Sequence, residues 1–188
     1  MAEEKLDIKI VNIVVSSSLE HDIPLEKMAA TLSNTEYNPE QFPGLVIRIK
    51  EPKTSALIFS SGKIVCTGAK TLDEVRKCID KIKSSLEKIN VKITIEPVIT
   101  IQNIVASGSV GMDLNLNSLA MKLDNTEYEP EQFPGLVYKV KITKNTDKPF
   151  NATFLLFSNG KIVCTGTKSE SQVNIAVRQL IENLKKVK

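Results

Sequence analysis

The chain has 188 residues, 41% hydrophobic and 25% charged, the balance of a soluble globular protein long enough to bury a core. That composition excludes disorder, collagen and coiled coil, and the length admits one domain or two small ones. The net charge is only +3, with +1 on residues 1–95 and +2 on the rest, and no apolar run approaches a membrane span, so any polyanion binding must come from where the cations sit.

Residues 1–5 open with charge and lack the apolar stretch of a signal peptide, which predicts an intracellular protein with reduced thiols. Residues 8–16, rich in Ile and Val, predict a strand. Asp22 is placed to cap a helix on which Leu25, Met28, Ala29 and Leu32 recur at helical spacing. Residues 45–50, 56–60 and 64–67 are short, β-branched and punctuated by Pro-Gly or Ser-Gly, and predict strands joined by tight turns. Thr71 and Glu74 form a capping box that opens a helix to about Ile89, with Leu72, Val75, Ile79, Ile82, Leu86 and Ile89 on one stripe.

From there the sequence repeats itself. Residues 34–50, NTEYNPEQFPGLVIRIK, return at 125–141 as NTEYEPEQFPGLVYKVK, with 13 of 17 positions identical at an offset of 91. Residues 59–70, FSSGKIVCTGAK, return at 157–168 as FSNGKIVCTGTK, with 10 of 12 identical at an offset of 98. The seven added residues fall within 143–151, a polar stretch that predicts a lengthened surface loop. Leu116, Leu119, Ala120 and Leu123 repeat the first helix, Asn159-Gly160 is a hairpin signal at the matching turn, and Ser169 with Gln172 opens the last helix. Two copies of about ninety residues argue against a solenoid and for a pseudo-twofold pair.

An antiparallel strand that packs helices on one side should alternate apolar and polar residues. Residues 10–15, 56–59 and 153–157 instead carry apolar side chains on both faces, although each copy supplies helices for only one. The uncovered apolar face is either an interaction surface or the inside of a sandwich or dimer. Parity sorts Asn12, Val14, Leu57, Phe59, Val65 and Thr67 into one set and Val11, Ile13, Ile58, Ile64 and Cys66 into another, if the 59–64 turn has three residues and a glycine bulge; a two-residue turn would set Phe59 across from Ile64.

Two copies of EQFPGLV, two of FSxGKIVCTG and the paired NIV strands resemble the TATA-box-binding family in its compact archaeal form, over residues 7 to about 184. The resemblance implies an α+β fold: a pseudo-twofold repeat, residues 1–95 and 96–188, forming one curved antiparallel saddle with helices on the convex face. It implies a general transcription initiation factor that binds the minor groove of an A·T-rich promoter element, kinks it, and recruits the B-type transcription factor and RNA polymerase. The DNA-binding set would be Val14, Leu57, Val65 and Thr67 with Val105, Leu155, Val163 and Thr165 on the groove floor, Asn12 and Asn103 as donors, and Phe42, Phe59, Phe133 and Phe157 as wedges. Arg48, Lys63, Lys139 and Lys161 would meet phosphates. A floor of methyl groups suits A·T pairs and is obstructed by the guanine amino group. Glu129 and Glu131, before the second FPGLV, correspond to the family's docking point for the B-type factor; the first copy has Asn38 and Glu40 there. The chain departs from the family in its long 143–151 loop and its basic rather than acidic tail.

The resemblance also implies a cytoplasmic, nucleoid-associated location for an archaeal chain or a nuclear one for a eukaryotic chain, no membrane partner, and room for a homodimer on the apolar face of the free protein. No enzyme is expected: there is no GxGxxG, GxxxxGK[ST] or GxSxG, and a single histidine with Cys66, Cys78 and Cys164 lacks zinc spacing, so neither catalytic residues, metal nor cofactor are predicted. Two rival readings stand beside this one: a binding module whose apolar face takes a lipid-like ligand or a protein, and an accessory domain of a nucleic-acid enzyme.

Overall fold

The computed structural model describes residues 7–187. The chain forms two compact units, one of Asn12–Gln102, the other of residues 7–11 with 103–187. The opening of the first strand groups with the second copy, and residues 96–102 group with the first.

In the first copy, strands β1 (Asp7–Ser18), β2 (Thr35–Glu36), β3 (Leu45–Ile49), β4 (Thr54–Ile58) and β5 (Lys63–Ala69) lie in the order β2-β3-β4-β5-β1, with helices α1 (Leu25–Thr31) and α2 (Leu72–Glu87). In the second, β6 (Thr100–Ser109), β7 (Thr126–Glu127), β8 (Leu136–Ile142), β9 (Phe150–Leu156) and β10 (Lys161–Thr167) run β6-β10-β9-β8-β7, with α3 (Leu116–Lys122) and α4 (Glu170–Lys186). Within each unit the strand pairings are antiparallel.

Each long helix forms because its apolar residues fall on one stripe. On α2 these are Val75, Cys78, Ile79, Ile82 and Leu86, all buried; Leu72 stands outside the stripe, 40% exposed. On α4 they are Val173, Ala176, Val177, Leu180 and Leu184. Each of the larger side chains contributes roughly 1.5–3 kcal/mol by leaving water, and they meet the buried row of each sheet: Ile13, Val15, Ile58, Ile64 and Cys66 in one copy, Ile104, Ala106, Leu156, Ile162 and Cys164 in the other. Thr71 Oγ1 accepts from the Glu74 amide at 3.2 Å while the Glu74 carboxylate accepts from the Lys70 amide at 2.7 Å, and Ser169 with Gln172 does the same at 3.1 and 2.8 Å. The first short helix is not capped by Asp22: it begins at Leu25, three residues further on, and Pro24 holds the cap position without a side-chain bond. In the second copy Asn115 caps, accepting from the Ser118 amide at 3.0 Å.

The extra residues of the second copy do not form only a loop. β3 and β4 end at the pair Ile49 and Thr54, whereas β8 and β9 continue past the equivalent Val140 and Ala152 to Lys141–Asn151 and Ile142–Phe150 pairs. Four residues thus become strand, since Ile142 finds a buried place behind the sheet, and the loop proper is 143–149.

Candidate nucleic-acid interface

The hairpin between β4 and β5 decides which residues share a face. Leu57 stands opposite Val65 and Ile58 opposite Ile64, and the Phe59 amide donates to the Lys63 carbonyl at 2.9 Å. The loop is therefore three residues, 60–62, closed by Gly62 at φ +86°, and the second copy does the same with Gly160 at φ +79°. Asn159-Gly160 accordingly does not make a two-residue turn; Asn159 Oδ1 accepts from the Lys161 amide at 3.1 Å. Phe59, Leu57 and Val65 fall on one face, with Phe157, Leu155 and Val163 matching them.

On that face the helices cover nothing. Val46, Leu57 and Val65 form a transverse row of half-buried side chains, and Val137, Leu155 and Val163 repeat it. Val46 and Val137 are groove-floor candidates that sequence parity alone could have supplied, two residues before Arg48 and Lys139 on the same strands. Ser55 and Thr153, opposite Thr67 and Thr165, also join the face.

Thr67 and Gly68 together stand against Val14, since Val15 pairs with Cys66 but Ile13 pairs with Ala69. This bulge, with Gly68 at φ +94°, turns the Gly68 amide toward Asn12, whose Oδ1 accepts from it at 2.7 Å. An amide proton can bond only to the carbonyl end, so Asn12 is held with its NH2 beside Thr67 Oγ1 at 3.2 Å. Asn103 repeats the arrangement: Oδ1 accepts from Gly166 at 2.8 Å and Nδ2 lies 3.0 Å from Thr165 Oγ1. Each NH2 keeps a second proton for an acceptor above the sheet. These are donors fixed in orientation on a half-buried apolar surface, the chemistry that A·T minor-groove acceptors require.

At the far end of each face two phenylalanines stack edge to face. Phe42 and Phe59 have ring centroids 5.9 Å apart at 65°, and Phe133 and Phe157 are 5.9 Å apart at 69°. A Cβ on Gly44 would lie 2.7 Å from Phe42 Cε1, so the glycine of the FPG motif is what lets that ring fold back toward Phe59. Phe42 and Phe133 remain 43% and 41% exposed, apolar rings presented to solvent.

The cations are arranged in two ways. Lys63 and Lys161, at the start of β5 and β10, are exposed. Arg48 and Lys139 are each tied to a carboxylate, Arg48 to Glu36 at 3.2 Å and Lys139 to Glu127 at 2.7 Å, on well-exposed side chains. Behind the face, Cys66 and Cys78 have sulfurs 3.7 Å apart; the hydrogen bond to Cys78 and burial push the Cys66 thiol up, and burial pushes Cys164 up to about 12. Cys66 and Cys164 are thus neutral core thiols, whereas the hydrogen bond with Cys66 pulls the buried Cys78 thiol down to about 7. Glu129 and Glu131 are exposed on the turn before Phe133, where the Gln132 and Phe133 amides donate to the Glu129 carbonyl. Among the described residues no group of three His, Cys, Asp or Glu is gathered as metal ligands would be, and no helix is long and apolar enough to cross a membrane.

Comparison with known proteins agrees with this geometry. The family described as transcription factor TFIID (or TATA-binding protein, TBP) matches residues 7–89 and 98–187. A TATA-box-binding protein of Picrophilus torridus is 50% identical over 182 residues, 96% of this chain and 95% of that protein. One from Thermococcus kodakarensis is 48% identical over 179 residues, 95% and 90% of the two chains. The structure of Methanococcus jannaschii TBP superimposes with a TM-score of 0.85 at 44% identity, covering 96% of this chain and 99% of that one. The chain belongs to the TATA-binding protein family.

Proposed function

We infer that the chain is a general transcription initiation factor that binds the minor groove of an A·T-rich promoter element through the open sheet face of each copy. The observation that carries this reading is the face itself: three apolar residues in a row, a fixed asparagine NH2 and an exposed phenylalanine pair, written twice with no helix over them. Water is a poor partner for such a surface, and a groove floor of base edges and sugars is a good one. Kinking by apolar wedges is known for this family and is taken over from it, with the Phe42–Phe59 and Phe133–Phe157 pairs as the wedges. Arg48, Lys63, Lys139 and Lys161 then hold register on phosphates without reading sequence. The exposed Glu129 and Glu131 serve as the docking point for the B-type factor, which brings RNA polymerase. The rival module for a lipid-like or protein ligand finds no support among the relatives.

The test is a salt series of binding to two duplexes of equal length, one A·T-rich and one with G·C pairs placed in the element. Each substituted pair should cost about 1–3 kcal/mol. Equal affinity for both at the same salt concentration overturns the promoter reading.

A further inference from the structure

The second copy carries a feature that the first lacks and that groove reading does not use. Its β8–β9 hairpin runs two residue pairs further than β3–β4 and ends in the 143–149 loop. The extension is anchored, because Val140 and Ile142 are buried on the helix side and Asn183 on α4 donates to the Tyr138 hydroxyl at 3.0 Å. Alternation then puts Lys141 on the same face as Val137 and Lys139, opposite Asn151. Lys144 and Lys148 follow at the tip with Asp147 as the one acidic residue between 141 and 151. All three lysines are exposed, and none makes an ion pair among the described residues, in contrast to Lys139 with Glu127.

We propose that this arm is a sequence-independent DNA contact of its own, in which Lys141, Lys144 and Lys148 bind phosphates of duplex flanking the A·T-rich element. Three unpaired ammonium groups on a braced hairpin, continuous with the face that meets the groove, fit a polyanion better than they fit solvent. Lysine suits the task, since phosphate positions in flanking duplex demand charge and reach rather than a planar fork. Only one copy has the arm, so the extra contact lies on one side of the element. The proposal rests on the promoter reading above, and its test separates the two.

Duplexes carrying an A·T-rich element are prepared with about ten flanking base pairs on each side, and in parallel trimmed to the element. The variant K141Q/K144Q/K148Q is compared with the parent and with K81Q/K88Q/K92Q, which removes the same charge from exposed lysines away from this face. On flanked duplex the arm variant should lose about 0.9 in the slope of log K against log salt for each phosphate contact removed, so two to three units for three contacts. On trimmed duplex arm variant and parent should agree, and A·T over G·C preference should be unchanged throughout. An unchanged slope on flanked duplex, as when the arm faces an acidic protein instead, overturns the proposal; so does an equal loss in the control variant, which would make the effect one of net charge. Loss of A·T preference in the parent itself would sink the promoter reading and leave the slope comparison to stand or fall separately.

Discussion

The open face of the first copy presents Asn12, Val14, Val46, Leu57, Val65 and Thr67, and that of the second presents Asn103, Val105, Val137, Leu155, Val163 and Thr165, the same residue types in the same register. Behind the sheets the copies diverge. Cys78 on α2 faces Cys66, while its counterpart on α4 is Ala176. Ser17 donates to the Val98 carbonyl at 2.7 Å, while its counterpart Gly108 lies against the Asp7 backbone. A packed interior has several solutions for the same space. A face that must meet a nearly twofold target, with acceptors at fixed depth, admits fewer.

The largest effects should therefore come from breaking the shared face. Phe59→Ala and Phe157→Ala should each lower affinity for an A·T-rich duplex by about 10- to 100-fold, the scale of an aromatic hot spot. Because both ring pairs have the same 5.9 Å geometry, the two losses should match. The bend, read by energy transfer between dyes at the duplex ends, should fall with them, while circular dichroism stays that of the parent. A double variant that bends DNA as the parent does would remove the wedge assignment, and a large difference between the single variants would show that the copies grip unequally.

The divergent side gives smaller effects, on stability rather than binding. A Cβ at Gly108 would collide with the Asp7 carbonyl and the Ile8 side chain, so Gly108→Ala should cost about 1–3 kcal/mol by overpacking. Ser17→Ala, which removes one hydrogen bond, should cost about 1 kcal/mol. Urea midpoints measure both. A Gly108→Ala protein as stable as the parent would mean that the chain at Asp7 moves aside freely, and the contrast between the copies would be lost.

Much of this comparison is legible in the amino-acid sequence. The repeat, the two long helices with their capping residues, and the parity of Leu57 with Phe59 follow from local chemistry that sequence displays directly. The turn at Ser60 to Gly62 did not, because Ser-Gly and Asn-Gly suit both a two-residue and a three-residue hairpin and only the cross-strand register chooses. Asp22 does not cap because α1 begins only at Leu25, as α3 begins at the equivalent Leu116 where no proline stands. The 143–151 stretch reads as loop from its polar residues, yet Ile142 and Phe150 find packing behind the sheet, a tertiary effect that propensity does not carry. The two-residue strands β2 and β7 were invisible for their length alone. Their one contribution to the face, a carboxylate beside a cation, was missed with them.

That carboxylate yields the smallest and most discriminating effect. Arg48 and Lys139 are proposed phosphate contacts, but Glu36 and Glu127 hold them at 3.2 and 2.7 Å. With side chains 62% and 74% exposed in the first pair and 58% and 69% in the second, each bridge is worth at most about 1 kcal/mol and is screened by salt. Loss of either glutamate should thus scarcely change stability. On DNA the balance reverses, because the carboxylate repels the phosphate its neighbour attracts. Glu36→Gln and Glu127→Gln should therefore tighten binding by about two- to fivefold at low salt, equally in the two copies, with the gain shrinking as salt rises. Titrations at two salt concentrations decide the matter. Weaker binding by either variant would mean that the glutamate positions its cation for the phosphate rather than competing for it, and a gain in only one copy would mean that Arg48 and Lys139 do not stand in equivalent places on the duplex.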